Sequence, residues 1–83
     1  MELNDTIELM KSSDYKERFK AEYFQVKIRL NKLIEMLNKW NNGELTFTPV
    51  STKITFELQK KAMLDYISVL ETRANMEGID LSE

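Results

Sequence analysis

The 83-residue sequence contains no cysteine and no histidine, one proline (Pro49) and two glycines (Gly43 and Gly78). Without thiol or imidazole the chain has no disulfide, no thiolate or histidine metal site and no Cys-His or Ser-His nucleophile. A histidine pH switch is excluded on the same ground. Two glycines 35 positions apart cannot form a phosphate-cradling glycine-rich loop. No apolar run approaches the roughly 20 residues of a membrane span. These absences argue against most enzyme classes, and no catalytic residue, metal ligand or cofactor site is expected.

What is present suits one small folded domain: 42% apolar residues, 31% charged residues and a net charge of −2. The opening MELNDTIELMK places three acids before its first lysine, the reverse of a basic signal-peptide start. A soluble protein of the cytoplasm is expected.

The chain reads as helices. Residues 3–11 resemble a short helix, with Asn4 or Asp5 as cap and Ile7, Leu9 and Met10 as apolar contacts. Asp14 then precedes Tyr15-Lys16-Glu17, an N-terminal capping signature. Through residue 42, Phe19, Tyr23, Val26, Leu30, Leu33, Leu37 and Trp40 recur at 4-3-4-3-4-3 spacing, a heptad seam. Asn41-Asn42-Gly43 ends this helix, Gly43 being suited to a left-handed position. Residues 43–51 are expected as an extended connector with Leu45 and Phe47 tucked under the helix ends. Ser51 or Thr52 can cap a second helix over 52–77, which stops at Gly78 and leaves a tail, 78–83, that folds back or frays.

A helix of about 29 residues is roughly 43 Å long, whereas a compact chain of this size has a radius of gyration near 12 Å. The expected fold is therefore all-α, a long antiparallel helical hairpin with a short N-terminal helix. Such a hairpin has little interior. Ala21, Phe24 and Ile28 form a second apolar patch on the first long helix. On the second, Phe56, Met63, Ile67, Leu70 and Ala74 make one stripe, which Leu58, Ala62, Tyr66, Val69 and Met76 extend past half the circumference. One neighbour needs only about a third of a helix surface. Either the N-terminal helix and the connector cover the excess, or copies of the chain do, as a dimer or higher homo-oligomer.

Charge is unevenly placed. Residues 11–39 hold eight bases and four acids, a balance of +4, and the rest holds four bases and ten acids, a balance of −6. Lys16, Lys20 and Lys27 line one flank of the seam, and Arg18 and Arg29 the other. These bases either pair with the acidic second helix or form an anion site. A chain that is acidic overall lacks the footprint for general nucleic-acid binding. Arg73 falls inside the apolar arc, where a guanidinium needs a carboxylate or phosphate partner. Glu22 and Glu77 are the carboxylates in reach. Glu57, Asp65 and Glu71 lie on the polar side of the second helix and read as solvated charge. Trp40, Phe47 and Phe56 gather at the bend as local core or as a stacking surface.

Thr6-Ile7-Glu8-Leu9-Met10, Asp14 through Tyr23, Leu45-x-Phe47-Thr48-Pro49, and Tyr66-x-x-x-Leu70-Glu71-x-Arg73-Ala74-x-x-Glu77-Gly78-Ile79 resemble the small crAss-phage-related proteins of phages and prophages. That resemblance spans nearly the whole chain and implies no particular activity. Pro49, Leu58, Ala62-Met63, Tyr66 and Arg73 are similar to the phage helical hairpins that sequester cyclic nucleotide messengers, the anti-CBASS and anti-Thoeris hairpins. Those proteins hold phosphates with Lys, Thr and Arg between subunits, which implies Thr48, Lys53 and Arg73 as ligand contacts here. The spacing before Pro49 is longer in this sequence. The resulting expectation is a non-enzymatic phage protein that counters host defence by sequestering a cyclic nucleotide. The alternatives are an inhibitor of a host effector such as a CRISPR nuclease, or a coiled-coil adaptor.

Overall fold

The computed structural model describes all 83 residues and contains helices only. A 3-10 turn (Leu3–Thr6) runs into α1 (Ile7–Lys11), followed by α2 (Tyr15–Asn41) and α3 (Lys53–Glu77). Glu2 and Asp5 cap the opening turn reciprocally, in place of Asn4 or Asp5 alone. At the head of α2 the Asp14 side chain accepts a hydrogen bond from the Lys16 backbone N–H, 2.9 Å away. Thr52 caps α3 through the Thr55 N–H. Both glycines stand where positive φ is required, Gly43 at 70° after α2 and Gly78 at 68° after α3.

The two long helices lie antiparallel, and the molecule measures 43 × 24 × 19 Å. Its radius of gyration of 15.0 Å exceeds the roughly 12 Å of a compact chain of this length. The seam is the packing face. Phe19, Tyr23 and Leu30 are buried in one cluster with Ile67, Leu70 and Ala74 of α3, Leu33 and Leu37 are buried further along the seam, and Val26 and Met63 are partly covered. The tail folds back: Ile79 is buried in the same core and Leu81 packs beside it.

Two expectations about burial change. Ala21 and Phe24 are not free for an interface between copies, because both are buried within the chain. The N-terminal turn and α1 pack on α2, where Leu9 joins the core and Thr6 is buried. The Thr6 hydroxyl donates to the Leu3 carbonyl (2.7 Å) and accepts from Gln25 Nε2 (3.0 Å), so its burial leaves no polar atom unpaired. Ile28, the third member of that patch, is partly exposed, whereas Ile7 and Met10 point outward. At the bend Phe47 is also exposed rather than tucked in, and only Leu45 is partly covered. Trp40 instead meets Phe56 edge-on at 6.2 Å between centroids.

Candidate functional site

Polar contacts between α2 and α3 do not pair the bases of α2 with the acids of α3. Every ion pair in the molecule lies elsewhere: Lys32–Glu2, Lys61–Asp65 and Arg73–Glu77. The helices are cross-linked by tyrosines and carboxylates instead. Tyr15 donates to Glu77 (2.8 Å), Tyr23 to Glu71 (3.0 Å) and Tyr66 to Glu22. A tyrosine at a seam edge buries its ring and keeps its hydroxyl at the rim, where an acid can accept from it. The hydrogen bond to Glu77, with some burial, raises the pKa of Tyr15; burial, then Glu71, raises that of Tyr23.

This arrangement leaves the lysine flank without a close carboxylate. Lys16, Lys20 and Lys27 lie along one side of α2, and none has a carboxylate within 4.0 Å. Lys16 reaches the Gly78 carbonyl at 3.3 Å, capping the end of α3. Lys27 sits 5.8 Å above the Tyr23 ring. Hydrogen bonds from the Ser82 backbone and hydroxyl hold the Asp80 carboxyl below its usual range, with Lys20 adding to the effect.

Arg73 lies on the opposite flank with its own partners. Its guanidinium stacks 4.9 Å from the Phe19 ring, donates to Tyr15 Oη (2.9 Å) and pairs with Glu77 (3.3 Å). Partial burial works against its charge, and the Tyr15 and Glu77 contacts outweigh it, so its pKa is raised. Of the two carboxylates in reach on sequence grounds, Glu77 is the partner, and Glu22 is taken by Tyr66.

Lys53 and Thr48 stand at the other end of the hairpin. Lys53 donates to Asn41 (2.9 Å) and lies 5.3 Å from the Trp40 ring, while Thr48 is exposed in the connector. Phe19, beneath Arg73, and Trp40, beneath Lys53, are 21 residues apart on α2, which is about 32 Å along a helix. The structure thus groups Lys16, Lys20 and Lys27 along α2 and places Arg73 at the same end of the hairpin as Lys16, far from the Thr48–Lys53 end. The tyrosine–carboxylate bridges, which join positions 44 to 62 residues apart, leave no local pattern in the sequence.

The one cavity, of about 240 Å³, lies elsewhere, between Met1, Glu2, Ile28, Asn31, Lys32 and Glu35. It is smaller than the roughly 300 Å³ at which ligand pockets begin, and its two carboxylates oppose an anion. No group of three or more acids gathers closely enough to hold a metal ion. No helix is long and apolar enough to cross a membrane.

A family model described as Sequestin matches residues 13–76. The chain belongs to the Sequestin family. The match begins one residue before the Asp14 cap and ends two turns past Val69, so it covers the hairpin and omits the docked N-terminal turn and α1. Lys16, Lys20, Lys27, Thr48, Lys53 and Arg73 all fall inside it. No curated protein and no solved structure matches the chain.

Proposed function

We propose that this chain is a binding protein without turnover that sequesters a small anionic ligand, a nucleotide messenger of the cyclic type, on behalf of a phage or prophage. Capture of such a messenger counters the host defence that it activates. The family name, which denotes sequestration, and the resemblance to messenger-binding phage hairpins both favour this reading. The observation that carries it is the lysine flank: three cations over three turns of α2, none with a carboxylate within 4.0 Å, while Glu77 and Glu71 accept from tyrosines. Phosphates are the natural partner for such a row. One chain offers no cavity large enough for a nucleotide, which favours a ligand held between copies.

Isothermal titration calorimetry with a panel of cyclic dinucleotides and cyclic ADP-ribose-type compounds tests this. Binding that weakens tenfold or more in the Lys16→Gln/Lys20→Gln/Lys27→Gln variant supports the proposal. A hundredfold excess of ligand over Kd adds about 2.7 kcal/mol, which raises Tm by roughly 11–22 °C at this chain length. Absence of heat with every anionic nucleotide, or unchanged affinity in the triple variant, overturns it. The competing reading, an inhibitor that docks on a host defence protein, is favoured by the exposed Phe47 and Val50 at the bend. A host protein that co-purifies, with no nucleotide response, would select that alternative over both the messenger sponge and a coiled-coil adaptor.

A further inference from the structure

The segment after α3 lies against the head of the lysine row. Residues 78–83 carry two acids, Asp80 and Glu83, and no base. Lys16 Nζ donates to the Gly78 carbonyl (3.3 Å), which fixes the start of the segment beside the first lysine. The Ile79 N–H donates to the Ala74 carbonyl (2.9 Å). The Ile79 side chain is buried in the core with Phe19 and Tyr23, and Leu81 packs at the edge of the same cluster. Asp80, between these two anchors, is near enough to Lys20 for the ammonium to help hold its carboxyl below the usual range. The lysines differ accordingly. Lys20 is partly covered, whereas Lys27, about 10 Å further along α2, is exposed beside the Tyr23 ring.

We propose that residues 80–83 form a self-inhibitory strap, in which the Asp80 carboxylate stands in for a ligand phosphate beside Lys16 and Lys20 and is displaced when the ligand binds. This adds regulation to the anion site argued above, and rests on that reading of the lysine row. A carboxylate and a phosphate both present oxygen acceptors to an ammonium, so they compete for it.

The contact is poised to open. Asp80 and Lys20 stand further apart than the 4.0 Å of an ion pair, and an exposed pair at such range contributes little. Asp80 Oδ1 accepts from the Ser82 N–H (2.9 Å) and the Ser82 hydroxyl (2.7 Å), partners that move with the strap when it leaves. Past Ile79 no backbone hydrogen bond joins the segment to the helices. Gly78, in the left-handed region, and the buried Ile79 remain as a fixed base. Release therefore gives up the partial cover of Leu81 and one weak charge contact, and leaves the hairpin core intact.

Isothermal titration calorimetry of the full chain with inorganic tripolyphosphate tests the strap without assuming a nucleotide. Asp80→Asn keeps an acceptor for Ser82 and removes the charge. It should bind tripolyphosphate roughly three- to tenfold more tightly than the wild type, the effect of one nearby charge. Glu57→Gln makes the same change in net charge about 30 Å away along α3. At about 0.1 M salt, which screens exposed charges beyond roughly 10 Å, that variant should leave the affinity unchanged. The Asp80→Asn gain should vanish in a Lys16→Gln/Lys20→Gln background. When tripolyphosphate saturates the wild type, NMR relaxation should show residues 80–83 loosening to order parameters below about 0.6 while Ile79 stays rigid. Equal affinity of wild type and Asp80→Asn, a gain that survives loss of both lysines, an equal gain in Glu57→Gln, or a segment unchanged at saturation overturns the strap. So does a failure of both wild type and Asp80→Asn to bind tripolyphosphate. A strap that responds to tripolyphosphate in a chain that binds no cyclic nucleotide would sink the nucleotide reading alone. Nucleotide binding that needs the lysines and ignores Asp80→Asn would sink the strap alone.

Discussion

Leu70 and Val69 are neighbours in sequence on opposite sides of α3, and truncating each to alanine separates the core from the open face. Leu70 is 0% exposed, within the cluster formed with Phe19, Tyr23, Leu30 and Ile67. Removing its isobutyl group loses transfer energy and leaves a cavity, a combination that costs about 2–5 kcal/mol. Against a total stability of roughly 4–12 kcal/mol for a chain of this length, that is a large fraction. It corresponds to a fall in Tm of about 12–24 °C for a loss of 3 kcal/mol. Val69 is 56% exposed, and its truncation should stay within about 0.5 kcal/mol. Urea unfolding followed at the helical circular-dichroism band reads both. Leu70→Ala moves the midpoint strongly and Val69→Ala barely does. Equal costs for the two variants would mean that α3 is rotated relative to the packing described above, and the reasoning would fail.

The remaining predictions concern caps, backbone and titration. Asp14→Ala removes the acceptor of the Lys16 N–H and should cost about 1 kcal/mol in a chemical denaturation curve. Gly78→Ala meets no atom within 4 Å, so its cost is backbone strain at φ 68°, about 1 kcal/mol, read as a lowered Tm. Phe47→Ser should leave stability unchanged, because the ring is 57% exposed. Tyr15 and Tyr23 have raised pKa values, so the folded state holds their protons more tightly than the unfolded chain does. The stability they contribute is complete below pH about 10 and is lost as pH rises through the folded values. An alkaline titration of Tm should show that decline, and the Tyr15→Phe/Tyr23→Phe variant should flatten it. Asp80 has the opposite sign: its lowered pKa gives stability that is present at neutral pH and lost below about pH 4.

Much of the architecture is legible because it is written in local periodicities. A seven-residue repeat at Phe19 through Trp40 makes a helix whose apolar face cannot be mistaken. Asp14 and Thr52 mark helix starts because a side-chain oxygen satisfies free N–H groups one turn on, and Gly43 and Gly78 mark ends because only they take positive φ cheaply. Each signal depends on residues within about a turn of one another. The same logic shows that α3 carries more apolar surface than one neighbour can cover.

What lies beyond that reach is the choice among apolar partners. Residues Ala21 and Phe24 look as available for a second copy as Leu58 and Val69, and only docking of the N-terminal turn and α1 buries the first pair and leaves the second exposed. Lysines beside the acids of α3 look set to pair with them, yet Tyr15 and Tyr23 donate to Glu77 and Glu71 and leave Lys16, Lys20 and Lys27 without a carboxylate within 4.0 Å. Arg73 could have met Glu22 or Glu77, and the rotation of α3 on α2 decides for Glu77. Composition, helix limits and the hairpin were determined by the sequence alone, since propensity, capping and a 3.5-residue repeat act within a few turns. Which faces are covered, which charges are free and where they gather were decided by the tertiary structure, because those contacts join residues tens of positions apart.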